Sequence, residues 1–131
     1  MFQVIQMAAP DGCVKDIEFL ANAATPRRFK MVFRKDLLTM IANAKTEENG
    51  IETYDIDFLP ELAYIMACQA KAKSDDKFKL DKLNYNTFLD WLEQFDGMAF
   101  EKNAVEILHV YTGNTETTSD AKKNIDQQTE S

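Results

Sequence analysis

Between Lys15 and Ala21 the side chains alternate: Ile17, Phe19 and Ala21 fall on one side, and Asp16 and Glu18 with Leu20 on the other. A period of two puts successive side chains on opposite faces of a strand, so this stretch predicts a half-buried β-strand. Thr25-Pro26 interrupts the pattern, because Pro26 has no amide hydrogen and restricts the residue before it. Beyond the break Phe29, Met31 and Phe33 alternate with Arg28, Lys30 and Val32. That predicts a second strand, and with the first an antiparallel β-hairpin across Pro26. A lone hairpin is marginal in water, so its apolar face needs a cover. Residues 1–14 form an N-terminal segment in which Phe2, Val4 and Ile5 are candidates for an extra strand.

From Lys35 the rhythm becomes helical, with Leu37, Met40, Ile41 and Ala44 at spacings of three and four. Thr46–Gly50 ends this helix, Gly50 being suited to the left-handed conformation of helix ends, and a short link leads on. The next helix, Asp57 to Lys73, has Phe58, Leu62 and Ile65 on one side and Leu59, Ala63, Met66 and Ala70 a quarter turn round. Tyr64 and Cys68 occupy part of the opposite side. So wide an apolar arc belongs to a helix that is either central in the fold or shared with a partner. Lys71–Lys82 reads as a charged connector anchored by Phe78 and Leu80. Asn84 or Asn86 then caps a helix with the aromatic stripe Phe88, Trp91, Leu92 and Phe95, stopped by Asp96-Gly97. A last helix, Met98 to Tyr111, aligns Phe100, Ala104, Ile107, Leu108 and Tyr111.

After Thr112 only Ile125 is large and apolar, too little to offset the entropy of ordering, so residues 112–131 predict a disordered tail or linker. The expected organisation is thus an N-terminal segment (1–14), a globular α+β domain (15–111) in which an antiparallel β-hairpin is packed by about four α-helices, and the tail. No apolar run approaches the ~18–20 residues of a membrane-spanning helix. The apolar N-terminus has no preceding Lys or Arg and does not read as an export signal.

Charge is unevenly spread over a chain of net −7. Lys15–Lys45 carries seven basic and three acidic residues, whereas Thr46–Phe100 carries five basic and twelve acidic ones. A basic island in an acidic chain suits self-association, the basic end of one copy meeting the acidic middle of the next. It also suits a solvated edge that blocks unwanted pairing. Nucleic-acid binding through Arg27 and Arg28 is opposed by the acidic remainder, which repels phosphate.

Candidate chemistry is sparse. The four glycines are scattered at element ends and form no phosphate loop. Asp55 and Asp57 are two carboxylates without further ligands at cation-loop spacing. Cys13 and Cys68 are too few for a zinc site and read as reduced thiols, and His109 has no triad pattern around it. These features make enzymatic function the weaker class and point to no metal site. Six methionines instead suit an adaptable binding surface or gaps in a core.

The order of TPRRFKMVF, RKDLLTMIANA, LPELAYIMACQAKA and LNYNTFLDWLEQFD resembles the tail assembly chaperones of long-tailed bacteriophages, as found in phages and prophages of Gram-positive bacteria. The likeness covers about Lys15 to Tyr111. It is carried chiefly by Ala63-Tyr64-Ile65-Met66-Ala67 and by Phe88-Leu89-Asp90-Trp91-Leu92-Glu93-Gln94-Phe95. The resemblance implies a protein that coats the tape measure protein and keeps it soluble in the host cytoplasm, and that is absent from the mature virion. It implies no enzymatic activity and no cofactor; the acidic remainder and the lack of a membrane-length apolar run separately argue for no nucleic-acid and no membrane partner. It further implies a longer form made by ribosomal frameshifting, whose added domain recruits the tail tube protein. An A-rich codon run under Ala121-Lys122-Lys123-Asn124 is a candidate slippage site. On this reading Leu59, Tyr64, Met66 and Ala70 are candidate partner-binding residues, and Arg27, Arg28, Lys30 and Arg34 are candidates for homo-oligomer contacts. The alternative is a small structural or adaptor component of the head–tail apparatus.

Overall fold

The computed structural model describes residues 1–48, 50–54 and 56–113. The chain is α+β. An antiparallel hairpin, β1 (Phe2–Ala8) and β2 (Val14–Leu20), opens it, with Phe2 opposite Leu20 and Ile5 opposite Ile17. The turn is made by Asp11, whose carboxylate accepts the Cys13 amide at 3.0 Å, and by Gly12 at φ 90°. Ile5, Met7 and Phe19 point inward and are buried, while Phe2, Val4, Asp16 and Glu18 face out.

The expected hairpin is therefore present, but its second strand lies upstream. The stretch across Pro26 is a helix, α1 (Thr25–Phe33). Pro26 sits in the first helical turn, where its missing amide hydrogen costs nothing. Thr25, Phe29 and Phe33 repeat every four residues and are buried together, whereas Met31 is 70% exposed. The four-residue period outweighed the two-residue one because Phe29 and Phe33 pack on each other, ring centres 5.3 Å apart.

The helix expected from Lys35 is short. α2 spans Leu37–Ala42, capped by the Asp36 carboxylate on the Leu38 amide at 3.2 Å. What had read as a helix end and a link is a second antiparallel pair, β3 (Lys45–Glu48) with β4 (Ile51–Tyr54). Gly50 takes φ 79° between them. An Asn-Gly pair is a strong hairpin signal in its own right.

α3 (Leu59–Ser74) is the axis of the molecule. Phe58, Leu59, Leu62, Ile65 and Met66 are all at most 2% exposed, and α1, α4, α6 and both strands of the first hairpin pack around the same core. Glu61 in its first turn and Lys71 and Lys73 in its last complement the helix dipole. Of the two readings of its wide apolar arc, the central one describes the fold. After α3 the connector makes a single 3₁₀ turn at Leu80–Lys82, and Phe78 and Leu80 pack against the core. α4 (Tyr85–Leu92) follows. The last expected helix is divided at Asn103 into α5 (Ala99–Lys102) and α6 (Ala104–Thr112), where the Asn103 side-chain amide donates to the Ala99 carbonyl at 3.0 Å. Among the described residues there are thus six α-helices rather than about four, of which α3 and α6 make the main contacts with the hairpin. Most of the expected tail, with Ala121–Asn124 and Ile125, lies outside the described residues.

Candidate protein-binding surface

Two segments that are apart in sequence meet along α3 and α4. Asn84 caps α4 by accepting the Thr87 amide at 3.0 Å, and Thr87 Oγ1 accepts the Asn84 amide at 2.9 Å. The same hydroxyl donates to the Asn84 carbonyl at 2.8 Å and accepts the Tyr64 hydroxyl at 2.7 Å. One donor and two acceptor positions are a hydroxyl's full capacity, so Thr87 locks the start of α4 onto α3. The Tyr64 ring then lies 5.4 Å from both Phe88 and Trp91, and Trp91 4.8 Å from Phe95.

These contacts leave an open groove of about 280 Å³ whose apolar lining comes from Tyr64, Ala67, Cys68, Phe78 and Trp91. The exposed Lys71, Asp90 and Gln94 supply its polar part, and the Lys71 ammonium stands 5.2 Å from the Phe78 ring centre. Burial pushes the Cys68 thiol up to about 11 and the Tyr64 hydroxyl up to about 12. Both are neutral at physiological pH, and Cys68 is held as a thiol rather than a nucleophilic thiolate. The groove suits an apolar side chain flanked by polar ones, such as a protein helix presents.

The sequence-selected partner residues divide. Leu59, Met66 and Ala70 are at most 3% exposed and belong to the core, because α3 is covered by the chain's own helices and hairpin. Met66 and Ala70 are not on a free surface, and Leu59 reaches only a separate small recess beside Ile56, Pro60 and Phe100. Tyr64 is buried too, but it contributes to the groove wall. Thr87 and Phe78 shape the same groove; Phe78 is expected from the sequence as an anchor of the connector, not as part of a binding wall. The Asn84-x-x-Thr87 spacing carries a capping signal, whereas nothing local signals the return of Phe78.

The basic residues lie on a helix rather than a strand. Arg27, Lys30 and Arg34, spaced by three and four, are exposed along α1 and its end, and the Arg34 amide closes the last turn on the Lys30 carbonyl at 2.8 Å. Arg28 is set apart from them, donating to Gln69 Oε1 at 3.0 Å. The buried Gln69 in turn donates to the Leu20 carbonyl at 2.7 Å and to Thr25 Oγ1 at 2.9 Å. Arg28 thus supports a polar bridge inside the fold. A second apolar recess, about 280 Å³, lies between α1 and the 3₁₀ turn and is lined by Met31, Val32, Leu80 and Leu83.

Asp55 lies outside the described residues, and Asp57 is exposed just before α3. Among the described residues no group of three or more His, Cys, Asp or Glu is placed to hold a metal ion. Cys13 is exposed and Cys68 buried, and both are free thiols. Among the described residues no helix is long and apolar enough to cross a membrane. Compared with protein-family models, with curated protein sequences and with solved structures, the chain finds no match.

Proposed function

We propose that this protein is a tail assembly chaperone of a long-tailed bacteriophage or prophage, which binds the tape measure protein and keeps it soluble while the tail is built. The observation that carries this reading is the α3–α4 groove. The two segments with the strongest resemblance to such chaperones, Ala63–Ala67 and Phe88–Phe95, lie side by side and provide Tyr64, Ala67, Trp91 and Gln94 to one open apolar recess. A client that is a long helix presents apolar side chains at regular intervals, and a chaperone that coats it needs one such recess per copy. The reading includes action in the host cytoplasm, absence from the finished particle, and a frameshifted longer form that recruits the tail tube protein.

Co-expression with a long helical tail polypeptide tests this. The wild-type protein should carry the polypeptide into the soluble fraction. Ala67→Arg, which fills the groove from a half-buried position, should reduce the soluble client at least tenfold while its own circular dichroism stays unchanged. A client that remains in the pellet with folded wild-type protein would remove the proposal. Mass spectrometry of purified virions separates a chaperone from a head–tail structural part, since only the latter remains in the particle.

A further inference from the structure

The first hairpin has two dissimilar edges. Its ladder runs through the odd-numbered residues of β1: Met1 exchanges both backbone bonds with Ala21, and the Ala9 amide donates to the Cys13 carbonyl at 2.7 Å. The even-numbered residues therefore turn their amides and carbonyls away from β2. At one end this outer edge is closed, the Ala8 carbonyl accepting the Asp96 amide at 2.8 Å. Among the described residues no backbone hydrogen bond outside the hairpin reaches Phe2, Val4 or Gln6. Phe2 and Val4 are 55% and 46% exposed, and Gln6 is exposed as well.

Proteins ordinarily guard such an edge with charge, proline or a bulge. β1, FQVIQMA, has no charged residue and no proline. β2, VKDIEFL, carries Lys15, Asp16 and Glu18, and its Leu20 carbonyl is already taken by Gln69. Pairing β2 with itself would bring its own carboxylates face to face, whereas pairing β1 with itself meets no like charge.

We propose that the outer edge of β1 pairs antiparallel with β1 of a second copy, forming a two-fold dimer with a continuous four-stranded sheet. The register follows from the free groups. With Ala8 occupied, the open edge runs from Phe2 to Gln6 and is centred on Val4, so Val4 faces Val4 and Phe2 faces Gln6 of the other copy. Each facing pair exchanges two backbone bonds. The contact is isologous and closed, because the sheet it completes ends on both sides in the charged β2, which does not extend it. The dimer goes beyond client binding and stands or falls independently of it.

Sedimentation velocity of the full chain over a concentration series at high salt, where surface charge is screened, should show a monomer–dimer equilibrium. Val4→Lys places like charges opposite each other at the two-fold axis and should raise the dimer dissociation constant at least tenfold, with an unchanged monomer circular dichroism spectrum. In a Cys13→Ser background, Val4→Cys should form a disulfide-linked dimer on mild oxidation, since a facing pair lies within disulfide range. Val14→Cys, exposed on the same hairpin but away from the axis, should not. A monomer at every concentration, an undisturbed dimer in Val4→Lys, or equal cross-linking at positions 4 and 14 overturns the proposal.

Discussion

At the scale of single residues, the two cysteines are opposites. Cys13 is exposed at the hairpin turn, and Cys68 is buried with its thiol raised from the ordinary 9.0 to about 11. Brief alkylation of the native protein should modify Cys13 alone, with Cys68 reacting only after unfolding. The same burial makes stability depend on pH. Between pH 9 and 11 the unfolded chain gives up this proton before the folded one does. Folding stability from this group is complete below about pH 9 and is lost as pH rises through the folded value. Urea unfolding from pH 8 to 11 should show that decline, and Cys68→Ala should make it shallower; an identical decline in the variant excludes Cys68 as its source. Gln69 has a different task. Its amide satisfies the Leu20 carbonyl at the junction of β2 and α1 and adds a second donor to the Thr25 hydroxyl, which already accepts the Asn22 amide at 3.0 Å.

At the scale of elements, α3 holds the molecule together. Its surface is apolar on nearly every side, and that is why its sequence shows no narrow stripe. Its central amides should be the last to exchange with solvent. Leu62→Ala, at a position with no exposure, should cost about 2–5 kcal/mol, measured by denaturant unfolding. A loss near zero would mean that α3 is not the core the packing describes. The sequence marked α3 and α4 well, because Phe58, Leu62 and Ile65, and Phe88, Trp91 and Phe95, recur at strong helical intervals. It marked the start of the fold poorly. Phe29, Met31 and Phe33 satisfy a period of two as well as Phe29 and Phe33 satisfy a period of four. The packing of Phe29 on Phe33, and of Phe33 against Tyr64 and Phe88, decides between them. The candidate strand through Phe2, Val4 and Ile5 is present as β1, but reading α1 as a strand gave β2 the wrong partner.

At the scale of the whole molecule, the basic stripe of α1 and the acidic stretch downstream are charges of opposite sign on one chain. With the proposed dimer as the unit, further association through Arg27, Lys30 and Arg34 should weaken as salt shortens the screening length from about 10 Å at 0.1 M to about 3 Å at 1 M. Light scattering across that range should show the larger species shrinking towards the dimer, and larger species insensitive to salt would exclude the charges as their cause. The groove itself was half legible. Tyr64 was selected from the sequence and does line it. Leu59, Met66 and Ala70 were selected because apolar arcs can face a partner, and the distant segments that cover them give no local sign. One further feature joins the groove to the sheet. Gln94 lines the recess and also accepts the Lys15 ammonium at 3.2 Å, and two residues on, the Asp96 amide is fastened to Ala8. These two rivets, just beyond the last turn of α4, bind it to the turn end of the hairpin across almost the whole folded chain, so that an α4 that frays from its C-terminal end would loosen that turn while Ile5, Met7 and Phe19 stay in the core.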